Sequence, residues 1–564
     1  MGRLILVFYL GWLGGILLAA EAEHLAPPSS PPVQLTPDET AEIQARLRNF
    51  YAVPVKPEAM NIRQPKYDVA TGQPSSSWTL LRPAASAQPG TLAWLAGEKG
   101  TEAFQKAYCD QVLKKRFPNL NCDHSQPPTW AAGESNDRME NLVHGWVAQP
   151  TYDLDSLPTD GSTDIGLWSD DYWPIQFGGT SFRYGKYSST QPFANYRQAV
   201  GSYFQPKEWG GILPLPLSTL DQDIWSWSPA EKYDLTVGDE LFSLTNEQKQ
   251  EGSHLLNDKG DVDSWMGYCN GWTAASVMVA KPTAPVTLVG PMGTRIQYSP
   301  ADVRALATLT WAKGDYNSQN VGGRCDEKDP KTYPNGRLVD QDCFDTNPAT
   351  FHLALANMIG LAHQSFIMDK QFDYQVWNQP IQGYSFTYFN PLQPSMTSKN
   401  WRDVVVPYDQ TFKSSDRFQH PLTRGVRTAV GYSDRNVQWI VGVIATVDYL
   451  AEVQPDLSTS AGQDLVRRES YTYDLELYPY NGGVYPQGGE WHENAHPDFL
   501  WVPAHGDYAH FNSDFVHRGF TGKTPPSYSL TRAARQVSSK GATLCEVMRS
   551  LVDASSGQAR YQCP

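Results

Sequence analysis

The most regular hydrophobic pattern in the chain lies in its middle, in the stretch 269–280. Apolar and small residues recur there at helical spacing, which places Trp272, Ala275 and Val279 on one face. Pro282 follows and cannot continue a helix. The pattern therefore predicts a buried helix that begins near Cys269.

Two other helices are predicted from their start signals. Ser228-Pro-Ala-Glu231 has a hydroxyl residue followed three positions later by a carboxylate, the spacing of a capping box. Ser299-Pro-Ala-Asp302 repeats that arrangement and opens a helix through about Lys313. Together with the run after residue 269, these signals predict a helical part ahead of the sheet.

Downstream of Asn347-Pro348, short apolar and aromatic runs separated by turn residues predict strands. Helices followed by strands indicate an α+β fold, with helices packed on an antiparallel sheet. The predicted strands are Phe351–Ile359, Ser365–Asp369, Asp373–Trp377, Gly383–Phe389, Gln438–Val447 and Tyr471–Leu477.

The first 22 residues have the pattern of an export signal. Arg3 precedes an apolar run from Leu4 to Leu18, and Ala20-Glu-Ala22 fits a cleavage site. The apolar run is shorter than a membrane span requires. We therefore expect a protein that is secreted or periplasmic after cleavage near Ala22, with no integral membrane segment in the mature chain.

Composition shifts divide the remaining chain. Residues 23–92 are rich in Pro and Ser and form a candidate pro-segment or stalk, and residues 93–150 are predicted to be helical. Residues 151–535 form the main region, and residues 536–564 form a tail that a disulfide would close. The net charge of −15 and the lack of a basic run argue against nucleic-acid binding.

Seven cysteines leave one without a neighbour in the sequence. Proximity favours the pairs Cys109–Cys122, Cys325–Cys343 and Cys545–Cys563, although six cysteines allow 15 pairings. Cys269 is left over, and three interpretations are open: it forms an intermolecular disulfide, it is a buried inert cysteine, or it is a reactive thiol. A helix N-terminus lowers the pKa of a thiol, so its position favours a nucleophile.

A thiol nucleophile needs a base and a group that orients the base. His352 opens one predicted strand and Asp369 ends the next, so an antiparallel pair would bring the two side chains together. The catalytic set predicted here is Cys269, His352 and Asp369. His363 in the intervening turn and Asp373 four residues beyond Asp369 are the rival candidates.

Several motifs resemble the transglutaminase elicitor family, which has oomycete and bacterial members. Val376-Trp-Asn-Gln-Pro380 matches the core of the family's surface peptide, and Gly267-Tyr-Cys-Asn-Gly-Trp272 is similar to its active-site motif. Other segments in the same order also resemble it: Trp168–Pro174, Ser228–Asp234, and Gly488–Trp491 together with His496–Trp501.

The resemblance implies a papain-like, or transglutaminase-like, cysteine catalytic core within residues 151–535. It also implies protein-glutamine γ-glutamyltransferase activity, with Cys269 as nucleophile. The expected partners are protein substrates that supply a glutamine acyl donor and a lysine or small-amine acceptor. Apolar walls favour the amine over water, and the candidates are Trp265, Trp272 and Trp377.

Other chemistries remain as alternatives. The same thiol would also serve a cysteine peptidase or a protein-glutamine deamidase. His492-Glu-Asn-Ala-His496 matches the zinc-peptidase pattern, but Pro497 argues against the helix that it needs. Asp326-Glu-Lys-Asp329 offers oxygen ligands for calcium, a candidate cofactor, in a spacing unlike an EF-hand.

Overall fold

The structure is a computed structural model that describes twelve ranges of the chain. The ranges are 139–183, 224–239, 241–314, 318–331, 343, 346–407, 439–455, 457–480, 483–492, 496–503, 520–538 and 545–558. The predicted signal peptide, the segment 23–92, most of 93–150 and the pair Cys109–Cys122 lie outside them. Cys563 also lies outside, so the pair Cys545–Cys563 stays a prediction.

Eight α-helices lie in the described ranges, together with several short 3₁₀ turns. The α-helices are α1 (Met139–Val143), α2 (Pro229–Val237), α3 (Ser243–Gln250), α4 (Cys269–Met278), α5 (Pro300–Lys313), α6 (Pro348–Ala354), α7 (Tyr528–Ser538) and α8 (Cys545–Ser556). A π-helix, Leu355–Leu361, continues α6 directly.

Twelve strands are described, all paired antiparallel. They are β1 (Asp160–Ser162), β2 (Val286–Val289), β3 (Arg295–Tyr298), β4 (Ser318–Gly322), β5 (Ile367–Asp369), β6 (Asn378–Asn390), β7 (Gln393–Ser398), β8 (Val406–Pro407), β9 (Trp439–Ala451), β10 (Leu465–Tyr480), β11 (Gly483–Trp491) and β12 (Phe499–Pro503). Strands β2 and β3 form a separate hairpin. The other ten form one sheet with the main order β11-β10-β9-β6-β5-β12-β4, and β1, β7 and β8 pair alongside.

The sheet separates two hydrophobic clusters. One contains the apolar faces of α2, α4 and α5, and the other contains α1, α6 and the π-helix. Strand β5 contributes to both, since Ile367 belongs to the first cluster and Met368 to the second. Because successive side chains of a strand alternate between faces, Asp369 lies on the Ile367 side, the side of α4.

The predicted mixed fold with an antiparallel sheet is confirmed. Helix α4 begins at Cys269 as expected, and Ser228 and Ser299 each cap a helix through the predicted box with Glu231 and Asp302. The strands predicted at 383–389 and 471–477 lie within β6 and β10, and residues 439–447 of the strand predicted from 438 lie within β9, while residue 438 lies outside the described ranges.

The strand predicted over residues 351–359 is wrong, because those residues belong to α6 and the π-helix. Asn347 caps this helix, since its side-chain oxygen accepts the N–H of Ala349. Residues 351–359 are all buried, and a mostly apolar run that is buried on every side has no period that distinguishes a helix from a strand. Residues 373–377, also predicted as a strand, form an irregular segment between β5 and β6.

Two other features bear on the sequence predictions. Cys325 and Cys343 form a disulfide, as their spacing predicted. Within the described ranges, no helix has the length and apolar character needed to cross a membrane.

Candidate functional site

Cys269 is the first residue of α4 and is the free cysteine among the described residues. It is 6% exposed. The N-cap residue, Tyr268, makes no side-chain hydrogen bond to this helix. The first N–H groups of α4 are therefore available as donors at the end of the helix where the thiol lies. Upstream, the backbone of Tyr268 donates to the carbonyl of Tyr172, which holds the start of the helix against the segment Trp168–Pro174.

The thiol contacts the segment that leads into β6. The side-chain NH₂ of Asn378 donates to Sγ of Cys269 at 3.6 Å, and Sγ lies 3.7 Å from the carbonyl oxygen of Val376. The backbone N–H of Asn378 also hydrogen-bonds the sulfur. Three groups of one short segment therefore surround the thiol.

A tryptophan on a neighbouring strand holds the Asn378 amide. The indole Nε1 of Trp501, on β12, donates to Oδ1 of Asn378 at 2.7 Å. Both side chains are almost completely buried. Since an indole N–H only donates, the amide oxygen has to face Trp501, and the NH₂ is left toward Cys269.

Asp369 lies directly across from Asn378, in the register that pairs β5 with β6. Its Oδ1 accepts the backbone N–H of Trp377 at 2.8 Å and that of Gln371 at 3.3 Å. Its Oδ2 is buried and has no hydrogen-bond partner among the described residues. Asp369 thus fixes the segment that contacts the thiol and keeps one carboxyl oxygen unengaged.

Burial sets the protonation of this site. It raises the pKa of the Cys269 thiol to about 11; hydrogen bonds from Asn378 lower that pKa, and the charges of Glu452 and Asp369 raise it. Burial also raises the pKa of Asp369 to about 7, against the backbone N–H groups that bind it and the charge of Arg324. The resting thiol is therefore protonated at neutral pH, and the Asp369 carboxyl titrates there.

A cavity of about 620 Å³ opens beside Cys269. Its apolar lining includes Trp265, Val376, Phe499 and Trp501, and its polar lining comes from neutral side chains, among them those of Asn320 and Asn378. No described residue in the lining carries a charge. Trp265 thus lies where the sequence predicted a wall, whereas Trp272 is packed in the core.

The structure does not bring His352 to Cys269. His352 lies on α6, and its ring stacks on Phe386 with centroids 3.9 Å apart, within the hydrophobic cluster on the opposite side of the sheet. Its ring nitrogens face the hydroxyls of Tyr473 at 3.0 Å and Tyr388 at 3.4 Å. Burial lowers the pKa of His352 to about 3, so the ring is neutral.

The rival candidates also lie away from the thiol contacts. His363 follows the π-helix, with Nδ1 3.1 Å from the carbonyl oxygen of Ser162. Asp373 accepts the N–H of Gln375 within its own turn. No described histidine contacts Cys269.

The residues of the two candidate metal motifs make contacts of other kinds. His492 directly follows β11 and its Nε2 lies 3.1 Å from Oδ2 of Asp474, while His496 stacks on Trp491, so these histidines do not share a helix face. Asp326 is exposed and pairs with Arg324. Across the described ranges, no group of three or more His, Cys, Asp or Glu side chains is arranged to hold a metal ion.

Sequence reasoning missed Asn378 and Trp501, although both lie in segments that the resemblance had singled out. Asn378 is the third residue of Val376–Pro380, and Trp501 ends His496–Trp501. The fold brings these segments together at the motif around Cys269. The two residues could have been found only from the fact that their segments meet at the Cys269 thiol, and that meeting follows from the order of the strands in the sheet.

Comparison with known proteins gives the same assignment for this region. Residues 247–511 match the transglutaminase elicitor family. Among solved structures, the GP42 transglutaminase from Phytophthora sojae is similar with a TM-score of 0.43 and 17% sequence identity, over 72% of this chain and 99% of that chain. No curated protein sequence matches the chain. The resemblance to the transglutaminase elicitor family is thereby confirmed for residues 247–511, the region that carries Cys269, Asp369, Asn378 and Trp501.

Proposed function

We propose that the protein is an exported protein-glutamine γ-glutamyltransferase that joins glutamine side chains to primary amines through a Cys269 acyl-enzyme. The observation that carries this proposal is the free thiol of Cys269 at the start of α4, beside a cavity whose described lining residues carry no charge, within the family-matching region. A neutral cavity suits a carboxamide better than a carboxylate, because an unpaired charge is costly to bury.

In the first half-reaction, Cys269 Sγ attacks the side-chain carbonyl carbon of a substrate glutamine. The S–H proton passes to a base, the C–N bond breaks, and the base returns the proton to the departing ammonia. The product is a thioester on Cys269. In the second half-reaction a neutral primary amine attacks the thioester, which forms an isopeptide bond and restores the thiol.

The proposed base is Asp369. This carboxyl lies across from Asn378 on the same face of the sheet as α4, it has an unengaged oxygen, and its pKa of about 7 suits proton transfer in both directions. From the sequence, Asp369 was predicted to orient His352. Since His352 lies across the sheet, Asp369 acts on the thiol without a histidine between them in this proposal.

The apolar wall of the cavity affects whether an amine or a water molecule attacks the thioester. Trp265, Phe499 and Trp501 present indole and phenyl surface beside the thiol, which disfavours ordered water next to the thioester. An apolar wall also favours the neutral form of a lysine amine, which is the nucleophilic form. The geometry therefore supports transfer to an amine more than hydrolysis.

The test is an amine-incorporation assay on the full chain, with dimethylated casein as glutamine donor and biotinylated cadaverine as acceptor. Assays with added calcium and with a chelator reveal any dependence on a metal. We expect Cys269-dependent incorporation of the label, and its complete loss in Cys269→Ala.

Other outcomes identify the alternatives. Ammonia release or peptide cleavage without label incorporation indicates a deamidase or a peptidase on the same thiol. Activity that survives Cys269→Ala and is lost with a zinc chelator contradicts every thiol mechanism.

A further inference from the structure

We infer that Asn378 is a further catalytic residue, the side-chain donor that stabilises the oxyanion formed when Cys269 is acylated, and that Trp501 is its positioning residue. This inference rests on Cys269 as the nucleophile of the proposed function. It adds two residues that the sequence did not suggest for any role.

The Asn378 amide lies beside the reacting sulfur. The Asn378 NH₂ lies 3.6 Å from Sγ of Cys269, and both residues line the same cavity. A carbonyl carbon that bonds to Sγ can place its oxygen about 3 Å from a donor at that position, the distance that oxyanion stabilisation requires. The amide is thus close enough to the sulfur to reach the new oxyanion.

The side-chain amide dipole of Asn378 is held in one direction. An asparagine amide presents an acceptor or a donor depending on a rotation of its terminal group. The Trp501 indole N–H, 2.7 Å from Oδ1, allows one orientation only, with the NH₂ toward the sulfur. A preorganised donor needs no reorientation as charge develops, which is the condition for effective electrostatic stabilisation.

A second donor for the oxyanion lies at the start of α4. The N-terminal turn of α4 has N–H groups without partners in the helix, and no side chain caps it. The backbone N–H of Cys269 lies at that turn, next to the reacting sulfur. A backbone donor and the Asn378 amide would together bind the oxyanion, and the helix dipole favours the same negative charge.

The test compares two reactions of one thiol. Acylation by p-nitrophenyl acetate passes through a tetrahedral oxyanion, whereas alkylation by iodoacetamide does not. Both rates are measured on the full chain over a range of pH, with the Cys269→Ala rate subtracted, so the result does not depend on finding the natural substrate.

In Asn378→Ala we expect acylation to fall about 100-fold, the usual effect of losing one oxyanion donor, and alkylation to change by no more than about fivefold. Trp501→Phe keeps an apolar wall but releases the amide, and acylation should fall roughly tenfold with the same selectivity. Asn246→Ala is the control: it removes an amide that lies outside the cavity lining and donates to the carbonyl of Leu241, and both rates should stay within about twofold of the wild type.

Equal losses of acylation and alkylation in Asn378→Ala would overturn the inference, because Asn378 would then only place or ionise the thiol. If Asn378→Ala does not fold, the Trp501→Phe variant decides: unchanged acylation overturns the inference. Failure of the proposed function looks different, since it gives no amine incorporation by the wild type while the acylation burst from Cys269 persists.

Discussion

Cys269 and His352 lie on opposite faces of the same antiparallel sheet. Cys269 is at the start of α4, which packs with Ile367 of β5, whereas His352 stacks on Phe386 in the cluster that contains Met368. The strands of the sheet lie between the two side chains. A proton transfer from the thiol to this imidazole would need to cross that layer. The groups that take part in the chemistry therefore lie on the face of the sheet that α4 covers.

We expect His352→Gln to leave kcat for amine incorporation within about threefold of the wild type, because the ring does not contact the reacting atoms. Glutamine keeps hydrogen-bonding groups for the hydroxyls of Tyr473 and Tyr388. The measurement is steady-state kinetics on folded variant, checked by circular dichroism. A folded variant with a 100-fold lower kcat would return His352 to the catalytic set.

The same substitution should change the acid sensitivity of the protein. The pKa of His352 is about 3 in the folded state and about 6.5 as the ordinary value, so the unfolded chain binds the extra proton between these pH values. The free energy of unfolding therefore falls as pH falls through this window, by up to about 1.4 kcal/mol per pH unit from this group.

Urea unfolding at pH 7 and pH 5 gives the comparison. Between these two conditions the wild type should lose roughly 2 kcal/mol more than His352→Gln. Equal losses in the two proteins would show that the ring is protonated or solvated in the folded state.

The thiol of Cys269 should alkylate slowly in the resting protein. With a pKa of about 11, the thiolate fraction at pH 7.5 is roughly 10²-fold below that of a free cysteine. The Cys269-dependent rate with iodoacetamide should keep rising past pH 9. A plateau near pH 7 would mean that the resting site holds a thiolate.

Asp369→Asn should lower kcat for amine incorporation by about 100-fold, since asparagine cannot accept the thiol proton. The pKa of Asp369 is raised to about 7, so its carboxylate forms as pH rises through 7 and wild-type kcat should rise over the same interval. That rise should be absent in the variant. Asp373→Asn, at the neighbouring carboxyl that accepts the N–H of Gln375, is the matched control and should keep the wild-type kcat. Because the charge of Asp373 contributes to the raised pKa of Asp369, the rise of kcat in this variant should persist and move slightly to lower pH.

The close packing of α4 on α5 depends on Gly271. A methyl group there would meet the carbonyl oxygen of Thr308 and the side chain of Ala312, both on α5. We expect Gly271→Ala to lower the free energy of unfolding by about 1–3 kcal/mol, the usual cost of overpacking. Gly166→Ala is the control, because nothing lies within 4 Å of the added methyl group. Equal denaturant midpoints for the two variants would contradict this account.

The helices were predictable where a local signal existed. Ser228 and Ser299 cap their helices through contacts within three residues, and Cys269 begins α4 where the apolar period begins. The segment around His352 had no such periodic signal, because it is buried on every side. A local start signal was nonetheless present, because Asn347 caps α6 and Pro348 lies in its first turn, and the strand prediction did not use it.

The sequence by itself determined the odd cysteine, its place at a helix start, the Cys325–Cys343 pair and the motifs of the transglutaminase elicitor family. The tertiary structure decided which of these meet. Asn378, Asp369 and Trp501 come from three strands whose order in the sheet is not their order in the chain, and alternation along β5 decides the face of Asp369. A site assembled across strands depends on pairing and register, which are properties of long-range packing rather than of any single segment.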